Sequence, residues 1–423
     1  MVLLALLSTV VSQAGPTLEL STLEDAAALP ALVWEHAPDL QAARARVAAA
    51  GAEVQRALLL PNPGLDVSVN TLPVGPLNPP ELRDPLLNVP NLAVGLSVLV
   101  ELGKRGPRQD AAREAARAVS LDALEQLRQR TLTLLELLVD VAAAEVRVAT
   151  LTALASDAER LVSLQRARLE KGDASALDAD RARIEQQSTL TALGEARESL
   201  AEGLRACSEL IGLPCRPFGD PARASDWLGR RLDLAQADPT KRPDLASLDA
   251  VAARARAEAL LARRRALPDP TVRVGYVHDR FVVSGNQQNS LFVGVAMPLP
   301  VFDHGQADAA AAAAAATAAE RARQKLLDSA ATQHARLEAQ RRSLESRLAQ
   351  LRDETLPLAR SVIDRLEAAV TRGAAPLPEL LIARRTYSEL VLTTNDLDRA
   401  FARLQVGEAR VTGAGLPLPG ALP

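Results

Sequence analysis

Aromatic residues are scarce. Two Trp, two Tyr and five Phe make up 2% of the 423 residues, too few to fill a large conventional globular core. Cysteine is scarcer still, with Cys207 and Cys215 in the stretch CSELIGLPC. Their spacing fits neither a zinc ribbon nor a redox CxxC. Two readings stay open: a disulfide, if the chain is exported to an oxidising compartment, or two free, partly buried thiols. The four histidines, His36, His278, His304 and His334, never stand at ligand spacing with one another or with a cysteine. The sequence therefore offers no metal site and calls for no cofactor. It carries no nucleophile motif, phosphate-binding loop, dinucleotide fingerprint or HExxH, so no catalysis is expected. A net charge of −3 lacks the basic bias that nucleic acid requires.

Long apolar runs are missing as well. Beyond the first residues no stretch of 18 apolar residues occurs, which excludes a bundle of membrane-spanning helices. The start, MVLLALLSTVVSQAGPTLEL, is apolar but too short to span a bilayer. Ser12 and Ala14 fit the −3 and −1 positions of a signal-peptidase site, so residues 1–14 read as a secretory signal, although one without the usual positive n-region.

What is present is helix, rich in Ala, Leu, Arg and Glu, interrupted by short alternating stretches. In LPNPGLDVSVN (60–70), Leu65, Val67 and Val69 alternate with Asp66, Ser68 and Asn70, the period of a strand with one apolar face. A near copy, LPDPTVRVGY, follows 207 residues later. Other segments repeat in the same order: PDLQAARARV with PDLASLDAVA, VGLSVLVELGKRG with VGVAMPLPVFDHG, and KGDASALDADRAR with RGAAPLPELLIAR. Their offsets are 205, 199 and 201 residues. The chain is a tandem duplication.

Each half reads as helix, strand, strand, very long helix, tight turn, return helix. The first half covers 15–212. TLEDA opens a helix with a capping box of Thr22 and Asp25, and a second helix runs over about 36–60. Strands follow at about 64–72 and 91–101, then a long hairpin at about 107–211. A Pro-rich connector covers 213–242. The second half, 243–413, carries strands at about 271–282 and 290–300 and a hairpin at about 306–410; residues 414–423 form a flexible tail. A helix of about 65 residues is about 100 Å long, so these helices must pack side by side as coiled coils. Leu151, Leu154, Ala158 and Leu161 keep 3-4-3 spacing, and Leu337, Leu344, Leu348, Leu351 and Leu358 keep a heptad. Pro357 should kink or break the second long helix. The Ala run at 307–319 provides small side chains for close helix approach. Charged residues such as Glu125, Arg128 and Gln129 read as i,i+3 and i,i+4 partners on solvated helix faces.

The strand faces are sharply unlike. Val272, Val274 and Tyr276 share one face, as do Leu291, Val293, Val295 and Met297; Asp66, Ser68, Asn70, Ser97, Arg273 and Gly294 fall on the other. Lipid outside and water inside a membrane barrel demand this pattern. Four strands cannot close a barrel, and an open edge is not tolerated in lipid. Three copies would supply 12 strands. The competing reading is a pair of soluble hairpins capping a coiled coil.

These motifs resemble the TolC-like outer membrane factors, the trimeric outer-membrane efflux proteins. TLEDAAALPALVWEHAPDLQAARARVAAAGAEV is similar to that family's opening. PNPGLDVSV, VELGKRGPR, PLPVFDHGQADAA and both Gly turns follow its motifs in order, and ELGKRG is most similar to the heavy-metal-efflux branch. The resemblance implies a mostly α fold with a small membrane β part: a homotrimer with a 12-stranded β-barrel in outer-membrane lipid, continued by a 12-helix periplasmic α-barrel. It implies a passive duct that meets a periplasmic adaptor and an inner-membrane pump, most simply a proton-driven RND-type pump. Lys171, Gly172, Asp173, Arg372, Gly373 and Ala374 would be the adaptor-contact tips. Asp178 and Glu379 would line the tunnel gate, where three symmetric copies make a negative ring. Where the family often carries a second acidic residue stands Ile382. Efflux of heavy-metal cations or small toxic compounds, type I protein secretion and a soluble periplasmic coiled-coil scaffold are the functions to separate.

Overall fold

The computed structural model of the protein describes residues 18–20, 28–74, 84–230, 232, 239–280 and 287–413. The signal segment, the Thr22–Asp25 capping box, part of the connector, the far end of the third expected strand and the tail lie outside them.

In chain order the elements are β1 (Leu18–Glu19), α1 (Leu29–His36), α2 (Pro38–Leu58), β2 (Gly64–Asn70), α3 (Pro85–Asn88) and β3 (Asn91–Leu99). The first long hairpin is α4 (Arg105–Glu170) and α5 (Ala176–Ile211). The connector holds β4 (Cys215–Arg216) and α6 (Pro221–Gly229). There follow α7 (Pro243–Arg263), β5 (Thr271–Asp279), β6 (Asn289–Ala296), α8 (Gln306–Gln350), a π-turn at Leu351–Thr355, α9 (Leu356–Thr371) and α10 (Leu377–Thr412). The duplication is carried element by element. Helices α2 and α7 have 21 residues each, and α5 and α10 have 36 each. Both return helices end on a left-handed glycine, Gly212 (φ 77°) and Gly413 (φ 73°), the conformation a C′ position favours.

The chain forms two compact units, and each takes segments from both halves. One comprises 45–121 and 244–325, the other 1–44, 122–243 and 326–423.

The first unit contains a four-stranded antiparallel sheet in the order β2-β3-β5-β6. Its strands end two or more residues before several of the expected limits. After Asn70, Thr71 takes a positive φ of 61° and ends β2. The motif ELGKRGPR lies at the foot of β3. Arg105 and Arg108 donate to the carbonyls of Leu58 and Leu59 at 3.1 Å each, satisfying acceptors at and just past the end of α2. Arg108 also pairs with Glu101, and Lys104 Nζ reaches Asp269 Oδ2 at 2.7 Å. Asp269 accepts from the Leu102 N–H at 2.9 Å too. The motif therefore fastens a strand end to the equivalent loop of the other half. Gly305 is needed for a close approach: a Cβ there would lie 2.1 Å from the Ala262 carbonyl oxygen.

In the second unit the core centres on α4. Leu127, Leu132, Leu134, Leu135, Leu138, Val139 and Val141 are buried. The connector is more structured than its composition indicates. Strand β4 pairs in parallel with β1. Trp227 of α6 packs on Phe218, with ring centroids 5.4 Å apart. The Phe218 N–H donates to Glu145 Oε2 at 2.9 Å. Burial pushes the Glu145 carboxyl above its ordinary pKa, against the hydrogen bonds from the Phe218 and Gly219 backbone. Cys207 and Cys215 are joined by a disulfide, with Cα atoms 6.0 Å apart, tying the end of α5 to β4.

Two expectations are corrected here. Arg128 does not sit on a solvated face. It is buried, pairs with Glu125, and donates to the carbonyls of Ala409 and Arg410 at 3.2 and 3.3 Å, closing the last turn of α10. The leucine heptad also fails after Leu351. The α-helix is interrupted just before Pro357, as expected, and the interruption takes the form of a five-residue π-turn in which the Leu356 N–H bonds the Leu351 carbonyl five residues back. The wider turn shifts the helical phase, so Leu348 is buried while Leu358 is 65% exposed.

Candidate functional site

The sheet register lines side chains up in rows. On one face Val67, Val94, Tyr276 and Leu291 lie side by side, next to Leu65, Leu96, Val274 and Val293. Val98, Val272 and Val295 form a third row. These rows are largely open to solvent; Leu291 is 81% exposed. Apolar exposure continues past β6 in Met297, Leu299, Val301 and Phe302. At the other end the face turns polar, where Tyr276 Oη donates to Asn289 and His278 Nδ1 lies 2.9 Å from the same amide oxygen.

The opposite face has small and polar rows: Gly64, Ser97, Arg273 and Gly294, then Ser68, Ala93, Val277 and Ser290. Between them Asp66, Gly95, Gly275 and Phe292 align. The Phe292 ring lies across both glycines. A Cβ at Gly275 would stand 2.5 Å from its Cε1, and one at Gly95 3.0 Å from its Cζ. The ring covers backbone that would otherwise be bare. Within the sheet β2 and β6 are the unpaired edges.

Both hairpins close through the same turn. Gly172 (φ 77°) donates to Leu169 O at 3.0 Å and Asp173 to Arg168 O at 2.8 Å. Gly373 (φ 73°) donates to Val370 O at 3.0 Å and Ala374 to Ala369 O at 2.8 Å. Each is a Schellman motif, with Lys171 or Arg372 at the C-cap. All six residues are exposed.

The two gate candidates differ. Asp178 sits in a full capping box: its Oδ2 accepts from Ser175 Oγ at 2.7 Å and Ser175 N at 3.3 Å, and its N–H donates to Ser175 Oγ at 3.2 Å. The Ser175 hydroxyl and backbone hold its carboxyl below the usual range. Glu379 lies in the first turn of α10, where the N-cap is Pro376 and no side chain caps the helix; it is exposed.

Sequence reasoning did not single out the pairs that join the hairpins near these turns. Arg384 Nη2 binds Glu367 Oε1 of α9 at 2.7 Å and Nη1 binds Asp157 Oδ1 of α4 at 3.3 Å. Arg385 binds Glu389 at 2.9 Å and also Glu185 of α5. Both guanidinium pKa values are raised, Arg384 chiefly by Glu367 and Arg385 chiefly by Glu389. Only the Arg385–Glu389 pair has a local signature, its i,i+4 spacing. Among the described residues no group of three His, Cys, Asp or Glu side chains could hold a metal ion. No described helix is long and apolar enough to cross a membrane, which says nothing of a β-barrel.

Residues 29–213 match the family model described as outer membrane efflux protein. The chain is 31% identical over 219 residues to the cobalt-zinc-cadmium resistance protein CzcC of Cupriavidus metallidurans, a match over 50% of this chain and 51% of that one. The chain thus spans about half the length of the curated relative it matches. The fold extends further. A crystal structure of CusC superposes with a TM-score of 0.72 at 18% identity, covering 92% of both chains. The CmeC outer membrane channel of Campylobacter jejuni gives 0.71 at 16% identity, over 97% of this chain and 91% of that one. VceC, an outer membrane protein of Vibrio cholerae, gives 0.70 at 17%, over 92% and 96%. The mostly helical fold with its small β part is therefore shared along nearly the whole chain, and residues 29–213 carry the sequence pattern of the outer membrane efflux proteins.

Proposed function

We propose that the protein is the outer-membrane exit channel of a tripartite efflux system, a passive duct that works with a periplasmic adaptor and a proton-driven inner-membrane pump of the RND type. One observation carries the reading: a sheet with three apolar, solvent-open rows on one face, small and polar rows on the other, and two unpaired edges. Lipid on the apolar face and water on the polar face account for both. The edges account for the assembly, because β2 of one copy can pair with β6 of the next and three copies close a 12-stranded barrel. A soluble scaffold would leave this apolar face in water. The tandem repeats then serve as the first and second sets of strands and hairpins, with 213–242 as the connector between them. The exposed turns at Lys171–Asp173 and Arg372–Ala374 are the ends offered to the adaptor. Divalent heavy-metal cations are the cargo class we assign, on the likeness to a cobalt-zinc-cadmium resistance protein.

The test is the particle mass of the protein taken from outer-membrane fractions in mild detergent. A trimer that salt does not extract supports the channel. A monomer or dimer in the soluble periplasmic fraction overturns it. Within the channel, Glu379 is the stronger gate residue, since the Asp178 carboxylate is already engaged by Ser175. Glu379→Ala should raise single-channel conductance and weaken cation preference; unchanged values in both would remove it from the gate.

A further inference from the structure

The two long hairpins contain the same number of residues yet differ at one level. In the first, α4 runs unbroken, and Leu151 packs with Leu193 and Ala196 among Val148, Leu154 and Ala192. Adding the offset of 201 residues gives Arg352, Thr394 and Leu397. Two of the three apolar positions of this layer are thus polar in the other hairpin, while the third, Leu397, stays apolar and buried. Arg352 lies in the π-turn, and its Nη2 donates to Asp398 Oδ1 of α10 at 2.6 Å. Asp398 is 9% exposed, while the arginine is 41% exposed.

The π-turn has the attributes of a flexing element. None of its residues is buried. Pro357, where the first half has Ser156, brings no N–H, so a carbonyl of the preceding turn loses its helical donor. Beside the turn lies a cleft of about 640 Å³, lined by Asp226 and Gly229 of α6 and by Tyr387, Asn395 and Asp398 of α10. Gly229 leaves room for the arginine: a Cβ there would lie 2.9 Å from Arg352 Nη2. On either side the helix is held. Leu348 of α8 packs on Leu397 and Phe401, and Glu367 of α9 is bound by Arg384.

We infer that the π-turn at Leu351–Thr355 is a hinge built by Pro357, and that the Arg352–Asp398 pair is the latch that holds it. When the latch opens, α9 swings relative to the 326–350 part of α8: Leu351, which packs on the Leu348, Leu397 and Phe401 cluster, stays with α8, and the exposed Arg352, Asp353 and Glu354 after it take up the bend. The cleft takes up the displacement, and Asp226 on its α6 wall gives the freed guanidinium another acceptor. The first hairpin, packed at the same level, has no such device.

Amide hydrogen exchange of the full-length protein in detergent tests this without reference to transport, so its failure is separate from failure of the channel reading. Peptides over 351–371 should exchange about tenfold faster than those over 150–170. Asp398→Asn should speed the first set further, and Pro357→Ala should bring the two together. Equal exchange of the two segments in the unaltered protein overturns the hinge, whether or not either variant folds. Exchange unchanged by Asp398→Asn overturns the latch.

Discussion

At the level of Leu151 the first hairpin is closed by three apolar residues from α4 and α5. At the equivalent level the second keeps one buried apolar residue, Leu397, beside a charge pair, and a π-turn and a proline follow. Between these two points little else has changed. The turns carry the same hydrogen bonds, the return helices have 36 residues each, and both end on a left-handed glycine. What a duplicated chain keeps is therefore length and punctuation, which decide whether the two hairpins can run side by side. What it lets go is the chemistry of single layers, where packing and pairing are interchangeable ways of holding two helices.

The largest effect should come from the packed layer. Leu151 is 4% exposed, and Leu151→Ala should destabilise the protein by about 2–4 kcal/mol, through lost burial and the cavity left behind. Unfolding followed by circular dichroism would measure it. A cost below 1 kcal/mol would mean that the first hairpin is no better packed than the second, and the contrast would collapse.

At the polar layer the two partners should count unequally. Arg352→Ala leaves a buried carboxylate without its donor and should cost about 1–3 kcal/mol. Asp398→Asn leaves a guanidinium that already reaches water, and should cost less than about 1 kcal/mol. Burial pushes the Asp398 carboxyl above its ordinary pKa, and Arg352 offsets this only in part. A carboxyl raised in the folded state penalises folding above its folded pKa, and the penalty is relieved as pH falls through that value. The loss caused by Arg352→Ala should accordingly shrink in acid. Equal costs for the two variants, or a loss that grows in acid, would contradict this account of the layer.

The duplication, the strand faces and the tight turns were legible in the sequence because each is a short-range pattern: period two, period seven, or a glycine after a helical run. The rows of the sheet followed once the four strands were paired. The Arg352–Asp398 latch was not legible, since it joins residues 46 apart through a turn that a heptad count assumes away. Reading Leu358 into the heptad was the error that concealed it. Arg128 was misread for a related reason: its i,i+3 partner Glu125 is visible locally, but the α10 carbonyls it closes are 281 and 282 residues distant. The Arg384 and Arg385 pairs across the hairpins belong to the same class.

The turns themselves should behave alike. Gly172 and Gly373 have open space where a Cβ would go, so only the positive φ resists substitution. Gly172→Ala and Gly373→Ala should each cost about 1 kcal/mol, by the same unfolding measurement. A twofold difference between them would show that one turn is held by something beyond its own backbone.

The smallest expected effect lies one turn further on, where the halves differ again. Helix α5 begins with the Ser175–Asp178 capping box, and α10 begins at Pro376 with no side-chain cap. Asp178 is held below its ordinary pKa, first by the Ser175 hydroxyl. A depressed carboxyl stabilises the folded state above its unfolded value of about 3.9, and that contribution is lost as pH falls through the folded value. Amide exchange at 176–180, corrected for intrinsic rates, should therefore accelerate below about pH 4, whereas 377–381 should show no such step from a cap. Ser175→Ala should remove most of the step and leave α10 untouched. A step that survives Ser175→Ala would place the pH dependence in Arg168 and Arg181, whose charges also lower Asp178, and would make the first tip an electrostatic cluster, closer in kind to the polar layer of the second hairpin than to a simple helix cap.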